Sequence, residues 1–347
     1  MSTIYLRTLK RAEHTVFCVQ DGQKTYYDPQ FKRRLPYSSG QQVKRSILDT
    51  LNRALETAGS PTTFLWDVTS KNELKEGEVY GTCDPSYPDQ LLGGWMKASK
   101  AVKGEQNRTI KRRSPLSISA MRALHPLLAG VDREDISFDR SDRSNNNIIV
   151  RDVKGKVIPD EDVISLLEGK DRSLRRKWIP DNRRATGLFV QDIAIDLRRL
   201  FSVTLNPFEP EITEATENKL REEGWEEGEN VFGLCLIAPK SLRDKWANAL
   251  ATAIIEWQIT SNQARTFSLM ETLAVAISDK PSNVAAAIRA KLTEDEDAKP
   301  VIEENLSDTD IFVTLPASGF MLTSTESHDA LEKAKQKLVD LINPSIG

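Results

Sequence analysis

Apolar residues recur at helical spacing in three stretches of the chain. In the first stretch Val43, Ile47 and Leu51 form one stripe, which predicts an amphipathic helix over 39–59. Ser39 precedes this stripe and offers an N-cap oxygen to the first turn. The same spacing predicts two further helices, over 241–257 and 327–342.

Other stretches carry the pattern of β-strands. Residues 231–238 are a continuous apolar run, typical of a central strand, and 187–197 alternate between apolar and polar positions. Residues 311–315 and 320–323 are separated by Pro-Ala-Ser-Gly, which predicts a hairpin. Two further strands are predicted near the start of the chain, over 3–9 and 15–20.

Between these elements lies a long polar middle with little periodicity. It includes the strongly basic segment 171–186, which reads as a loop. Strands, a helix, an insertion, further strands and further helices in this order predict an α+β fold. Because neither a linker nor an internal repeat interrupts the pattern, one elaborated domain over 1–347 is predicted.

Charge changes this picture, because it is divided unevenly along the chain. The 347 residues carry 48 Lys and Arg against 51 Asp and Glu, a net charge of −3. Residues 1–200 hold 35 basic against 26 acidic side chains, whereas 201–347 hold 13 against 25. The basic residues form six clusters, at 32–34, 44–45, 111–113, 175–177, 183–184 and 198–199. Such clusters favour a surface for a polyanion; the alternative is that each is a solvated face paired with acids.

Several function classes are excluded or disfavoured. No run approaches the roughly 18 apolar residues of a membrane helix, and the first residues lack the apolar core of a secretory signal. The three cysteines lie far apart, which fits a reducing compartment and predicts a cytoplasmic protein. The histidines lack metal-ligand spacing, and nucleotide-binding and catalytic motifs are missing, so we predict no metal, no cofactor and no catalytic residue. Asp192 and Asp196 share one face of a predicted strand, an arrangement open in principle to a metal ion, but ion pairs with the flanking Arg198 and Arg199 are expected instead.

The start of the first helix carries the most informative chemistry. Free backbone N–H groups at a helix start favour phosphate, and Gln41, Lys44 and Arg45 lie on neighbouring positions beside it. Cations in a first turn oppose the helix dipole, so a helix selected only for stability would carry acids there. We therefore predict an anion-binding surface; the alternative is an ordinary capped helix with a basic first turn.

Residues 38–45, Ser-Ser-Gly-Gln-Gln-Val-Lys-Arg, resemble the SSQxLKR helix start of the CRISPR-associated Cascade backbone subunits of the RAMP superfamily, including its developmental-regulator-like branch. Gly40 is an extra residue relative to some members. Segments 113–122, 187–200 and 262–281 resemble, in the right order, the approach to the family's insertion domain, the strand after its thumb and a late strand pair.

This resemblance implies a modified RRM-like, ferredoxin-like palm with a finger-like insertion at about 67–160 and a thumb loop at about 165–186. It implies a non-catalytic subunit that binds a crRNA guide, lines up head to tail with identical copies, contacts other Cascade subunits and meets target DNA through the guide. Trp178, Ile179 and Pro180 would supply an apolar wedge that displaces a base; the alternative is a buried Trp178 in an ordinary loop. The implied RNA-binding residues are Arg33, Arg34, Ser38, Ser39, Gln41, Gln42, Lys44, Arg45, Arg112, Arg113, Arg122, Arg175, Arg176, Lys177, Trp178, Arg183 and Arg184.

Two other functions stay open at this point. Some relatives in other CRISPR systems cut target RNA with an acidic loop residue, so an RNA-cleaving RAMP-type enzyme is the first alternative. The sequence shows no isolated Asp in a matching loop motif, which disfavours it. The second alternative is a host protein with a similar fold and no CRISPR role.

Overall fold

The structure is a computed structural model that describes residues 2–17, 23–97, 109–142, 145–170, 173–259 and 266–343. Within these ranges the chain is an α+β protein, as predicted. Its helices are α1 (Gly40–Ala54), α2 (Pro88–Gly93), α3 (Asp160–Leu167), α4 (Glu214–Glu222), α5 (Lys240–Glu256), α6 (Pro281–Ala287) and α7 (Ala330–Ile342).

The strands of the described chain follow in sequence order. They are β1 (Thr3–Thr15), β2 (Thr25–Asp28), β3 (Arg33–Ser38), β4 (Thr62–Val68), β5 (Leu74–Gly81), β6 (Trp95–Lys97), β7 (Ile110–Arg112), β8 (Leu116–Ile118), β9 (Met121–Ala123), β10 (Ala129–Asp139), β11 (Arg176–Asp196), β12 (Ser202–Thr204), β13 (Glu226–Asn230), β14 (Gly233–Ile237), β15 (Thr272–Ser278), β16 (Ile288–Leu292), β17 (Ala298–Ile302), β18 (Asp310–Thr314) and β19 (Glu326–Ser327).

One large sheet organises the molecule. Its main path runs β19-β18-β15-β1-β11-β9-β3-β2, with β8 and β10 also paired to β11. The pairing of β18 with β19 is parallel, whereas β1 is antiparallel to both of its neighbours, β11 and β15. A three-stranded sheet in the order β12-β14-β13 and three separate hairpins complete the described strands.

The two faces of the large sheet are covered differently, because side chains alternate along a strand. Ile4 and Leu6 of β1 join one hydrophobic core with α1, α5 and α7. Leu9 and Val190, on the opposite face, pack with α6 and the β16–β17 hairpin in a second core. The rest of that second face is here called the open sheet face and is defined by Tyr5, Arg7, Arg122 and Asp192.

The three helices predicted from apolar stripes are all present. The stripe of the first, represented by Val43 and Ile47, is fully buried, and Ser39 is its N-cap, whose side chain accepts a hydrogen bond from the Gln42 N–H at 3.3 Å. This helix ends at Ala54, earlier than predicted, because the chain turns at Glu56 with a φ of 55°.

Of two strand predictions, one needs correction and one is confirmed. The predicted hairpin of 311–315 with 320–323 is wrong, because a 3-10 helix over Leu315–Gly319 follows β18, which pairs with β15 and β19 instead. The run 231–238 contains β14, which is a central strand as predicted, since it lies between β12 and β13 in the three-stranded sheet, although its Leu234 is exposed.

Of three further strand predictions, one is confirmed and two differ from the structure. The segment 262–281 yields the single strand β15 and the start of α6 within the described residues, and 262–265 lie outside them. The strand over 3–9 is confirmed and extends to Thr15, so 15–20 forms no separate strand where it is described.

Strands β10 and β11 continue together beyond the end of β1 and form an arm, here defined as residues 129–187. Their pairing runs from Ala129 opposite Gly187 to Asp139 opposite Arg176. In the segment expected to be a thumb loop, about 165–186, the last half from Arg176 onward is therefore strand, and residues 171–172 lie outside the described ranges. Pairing with β10 gives this charged segment its strand conformation, a long-range cause that its own sequence does not show.

The interval predicted as a finger-like insertion, about 67–160, is divided in the structure. Its first part completes the β4–β5 hairpin, whose Phe64, Trp66 and Val79 are exposed. Strands β8 and β9, in its middle, belong to the large sheet, and its last part lies in the arm. No helix of the described chain is long and apolar enough to cross a membrane.

Gly187 fixes the base of the arm, and replacing it is a direct test of this geometry. Its φ is +143°, and an added Cβ would lie 2.4 Å from the Leu128 carbonyl oxygen and 2.5 Å from Ala129 Cα. We expect Gly187→Ala to lower the free energy of unfolding by about 1–3 kcal/mol, measured by urea denaturation. Gly130→Ala is the matched control, because its Cβ would meet open space. Equal stabilities of the two variants would contradict this account.

Candidate nucleic-acid interface

The start of α1 packs closely against the chain that links β8 to β9. An added Cβ on Gly40 would lie 2.8 Å from the Ile118 carbonyl oxygen, so only glycine fits at this position. Ser38, just before the helix, is opposite Met121 in the sheet and is buried, with an Oγ that has no partner in the described chain. The extra glycine in the resembling segment therefore has a structural reason.

The polar residues of the first turns of α1 are not equally available. Lys44 donates from Nζ to the Gly93 carbonyl at 2.6 Å, and burial lowers the pKa of this amine. Arg45 is 71% exposed, with its Nε 2.9 Å from Asp49, one turn later. Gln41 is exposed and Gln42 is half-buried. Of the three neighbouring residues that the sequence indicates, Gln41 and Arg45 face solvent. Lys44 is instead hydrogen-bonded to the last residue of α2.

The open sheet face carries a central carboxylate between two arginines. Asp192 lies 2.7 Å from Arg7 Nε and 2.9 Å from Arg122 Nη2. Burial alone would raise the pKa of Asp192, but the hydrogen bonds and charges of Arg7 and Arg122 hold that pKa below its usual range. The ion pair expected for Asp192 is confirmed, although its partners differ from the two arginines that the sequence suggested.

Arg122 is the accessible member of this group. It lies directly opposite Tyr37 in the sheet and leaves 40% of its side chain exposed. Arg7 is more enclosed, because it also donates to the backbone carbonyls of Ala285 and Ile288 and so fixes α6 to the sheet.

A cleft of about 390 Å³ opens on this face between β8 and the start of α6. Its walls include Tyr5, Arg7, Ser117, Ser119 and Asp192, so an aromatic ring, hydroxyl groups and charges converge there. This size falls in the range of small-ligand sites. Sequence reasoning missed Tyr5 and Arg7, although their alternate positions in the predicted first strand place them on one face.

The arm presents an exposed aromatic side chain beside a cation. Trp178 is 58% exposed, and the guanidinium of Arg176 lies 4.8 Å from the centroid of its ring. Arg176 is also 3.2 Å from Asp139 on the opposite strand. Since Trp178 faces solvent, the alternative of a buried tryptophan is wrong.

The other basic residues of the arm differ in accessibility. Lys177 is exposed, whereas Arg175 and Arg183 are half-buried and hold partners within the protein. Arg184 is buried at the arm's base, with Nε 3.3 Å from Glu134. The outer part of the arm therefore offers Arg176, Lys177 and Trp178.

The helix start and the outer arm are not brought together in one site. Trp178 is nine residues from Gly187 along β11, a distance of about 30 Å for an extended strand. Arg33 and Arg34 are exposed on β3, which lies beside β10 and so between the two regions. The candidate interface is thus an extended surface rather than one pocket.

Arg112 does not belong to this surface. Only 1% of its side chain is exposed, and its guanidinium bonds Glu211 Oε2 at 2.8 Å and the carbonyls of Leu91 and Arg199. We therefore correct its assignment from an RNA contact to an internal structural cation. Arg113, the next residue, is exposed and remains a candidate.

Titratable side chains in the described ranges form no group of three or more His, Cys, Asp or Glu that could hold a metal ion. His125 accepts a hydrogen bond at Nδ1 from the Leu127 N–H at 3.2 Å and packs edge-on against Phe31. The ring of His125 is therefore packed and hydrogen-bonded to the local backbone.

Comparisons with known proteins give structural neighbours only. No family model and no curated protein matches the chain. One similar solved chain, from a "CRISPR RNA-guided surveillance complex", has 10% identity and a TM-score of 0.42, over 97% of this chain and 99% of the other. A second, from a "CRISPR RNA-guided surveillance complex, pre-nicking", has 9% identity and a TM-score of 0.45, over 98% of this chain and 89% of the other. At TM-scores under 0.5, function has to be inferred from the residues of this chain itself.

Proposed function

We propose that this protein is a non-catalytic, guide-RNA-binding backbone subunit of a type I CRISPR surveillance complex. The observation that carries the proposal is the exposed Trp178 with its stacked Arg176 on a basic arm, in a chain whose α1 start resembles that of the Cascade backbone subunits. An exposed tryptophan next to a cation suits contact with an unstacked base and its phosphate.

The order of elements supports an RRM-like palm. β1, α1, β8–β9, β11, α5 and β15 follow one another as β-α-β-β-α-β, and in space β15-β1-β11-β9 lie side by side. This is the arrangement of ferredoxin-like domains, and RRM domains bind RNA on the sheet itself. The open sheet face, with Tyr5 and Arg122, lies opposite α1 and α5 and would form that surface.

The chemistry of the surface fits a guide held independently of its sequence. Arg33, Arg34, Arg122 and Lys177 are cations suited to phosphate, and phosphate contacts position a strand without reading its bases. The bases of the guide would then be left to pair with target DNA.

Assembly along the guide is the second part of the proposal. Head-to-tail contacts between identical copies need two different surfaces on each copy. The uneven charge of the chain offers them, since residues 1–200 are basic in balance and 201–347 are acidic. Other subunits of the complex would bind the terminal copies.

The proposal is tested first on the purified protein. We expect it to carry RNA, seen as raised absorbance at 260 nm, and to bind single-stranded RNA with an affinity that falls as salt rises. Incubation of that RNA with a divalent metal ion should leave it and a complementary strand intact. A protein free of RNA and indifferent to it at low ionic strength would contradict the proposal, and cutting of either strand would favour the RNA-cleaving alternative.

Arm variants test which residues carry the binding. Trp178→Ala should weaken binding of single-stranded RNA about fivefold or more, because stacking on an aromatic ring is lost, while Trp178→Phe should lose less. Arg176→Ala should reduce the salt slope by about 0.7, the value for one phosphate contact on a single strand. Lys291→Ala, which removes an exposed charge from the β16–β17 hairpin, is the control and should change neither value. Unchanged binding in both arm variants would remove the arm from the interface.

A further inference from the structure

A second cleft, which is polar, lies beyond the C-terminal end of β11. This is the end that is distant from the arm tip. The cleft has a volume of about 400 Å³ and is lined by Lys111, Arg113, Arg199, Asn206 and Phe232, among others. Its inner wall is the buried pair of Arg112 and Glu211 described above. Two of its four cationic side chains form ion pairs with its two carboxylates, Lys111 with Glu209 at 3.2 Å and Arg112 with Glu211 at 2.8 Å. Arg113 and Arg199 leave the lining with an excess of positive charge, which favours an anionic ligand.

An aromatic ring with two arginines borders this cleft. The guanidinium groups of Arg198 and Arg199 lie 5.2 Å and 4.1 Å from the ring centroid of Phe232, which is 45% exposed. Asp196 holds both arginines, since its carboxylate lies 2.8 Å from Arg198 Nε and 3.4 Å from Arg199 Nε. We call Phe232, Arg198 and Arg199 the guanidinium–phenyl platform. Arginine planes and aromatic rings are the groups on which proteins stack single-stranded bases.

The platform is continuous with the open sheet face. Thr3 is paired with Asp196 and Arg7 with Asp192, so both carboxylates are on the same face of the sheet. Four residues of extended strand separate them, about 13 Å. Between the two carboxylates lies Tyr5, which is opposite Ala194 in the sheet and borders the first cleft. Polar and cationic groups therefore continue from one cleft to the next.

We propose that the second cleft binds one nucleotide of a single-stranded RNA that continues past the open sheet face. The base stacks on the guanidinium–phenyl platform, and the phosphate contacts the exposed Arg113 at the mouth of the cleft. The hydroxyl and amide groups of Ser202, Thr204 and Asn206 supply polar walls for the sugar and the base edge. This inference rests on the proposed function, and it extends the RNA path to the side of the molecule opposite the arm.

Photo-crosslinking and binding measurements on the full chain test this site. The probe is an oligouridine RNA that contains thiouridine, and the crosslinked peptides are identified by mass spectrometry. We expect a crosslink in the peptide that contains Phe232. Phe232→Ala should weaken binding about fivefold or more, Phe232→Leu should behave similarly because it lacks a ring, and Arg113→Ala should reduce the salt slope by about 0.7.

The controls separate this inference from the function on which it rests. Phe64→Ala removes another exposed phenyl ring, on the β4–β5 hairpin, and should leave binding unchanged. Melting temperatures should match in all variants, because the replaced side chains are exposed. If the wild-type protein binds RNA but neither crosslinks at Phe232 nor responds to the Phe232 and Arg113 substitutions, the second cleft is not a nucleotide site and the proposed function stands. If the wild-type protein binds no RNA, both are overturned.

Discussion

Arg112→Ala is expected to lower the free energy of unfolding by about 3–5 kcal/mol, a larger loss than Gly187→Ala should cause. The reason is the carboxylate that remains. Glu211 has 10% of its side chain exposed and would lose the guanidinium 2.8 Å away, while the carbonyls of Leu91 and Arg199 would lose their donors. Urea denaturation followed by circular dichroism measures the loss.

Two comparisons decide whether the lost pair is the cause. The double variant Arg112→Met with Glu211→Gln leaves no charge buried at this position. Its glutamine oxygen can still accept the hydrogen bond that the Thr204 N–H donates to Glu211 at 3.0 Å. This double variant should recover most of the lost stability. Arg113→Ala should change stability by less than about 0.5 kcal/mol, because that side chain is exposed. A double variant as unstable as Arg112→Ala would contradict the explanation.

Lys10 is expected to make stability depend on pH in the alkaline range. Its amine is buried under the helices, donates to Thr272 Oγ1 at 2.7 Å and to the Ile255 carbonyl at 3.1 Å, and lies 5.1 Å from the Trp257 ring centroid. Burial lowers the pKa of Lys10 from 10.5 to about 7, although the charge of Glu256 acts to raise it.

The direction of the effect follows from where the proton is held. Between pH 7 and 10.5 the unfolded chain keeps the Lys10 proton and the folded chain has released it, so stability rises with pH across that window. The slope approaches about 1.4 kcal/mol per pH unit for one proton. Below pH 7 both states are protonated, and this contribution to the slope disappears.

Lys10→Met isolates this contribution, because a methionine fills similar space without a charge. The difference in unfolding free energy between wild type and variant should change with pH from 7 to 10.5 and stay constant below 7. Other titrating groups are common to both proteins and cancel in the difference. A difference that is independent of pH would show that Lys10 stays charged in the folded protein.

The sequence predicts those helices and strands that are determined by residues close to one another along the chain. The buried stripe of Val43, Ile47 and Leu51 is visible at helical spacing, and the cap at Ser39 follows from its neighbours. The α+β class follows from the order of such elements.

What the sequence does not show depends on distant residues. Arg112 reads as one of three adjacent cations, and its burial is caused by Glu211, 99 residues later. Residues 176–184 read as a basic loop because they lack apolar alternation, and β10 makes them a strand. Phe232 lies near Arg198 and Arg199 only because the three-stranded sheet folds back beside the end of β11. The residue types of the candidate interface could thus be predicted, but not which of them are accessible.

The unbroken length of β11 sets a fixed spacing. One strand of 21 residues carries Trp178 near its first end and Asp196 at its last, separated by at most about 60 Å of extended backbone. A ligand that contacts both ends must therefore span a distance that is fixed by the length of this one strand. Lengthening or shortening β11 by one residue would move every side chain beyond the change to the other face of the sheet. A change in the distance between Trp178 and Asp196 that keeps both side chains on their present faces therefore requires steps of two residues.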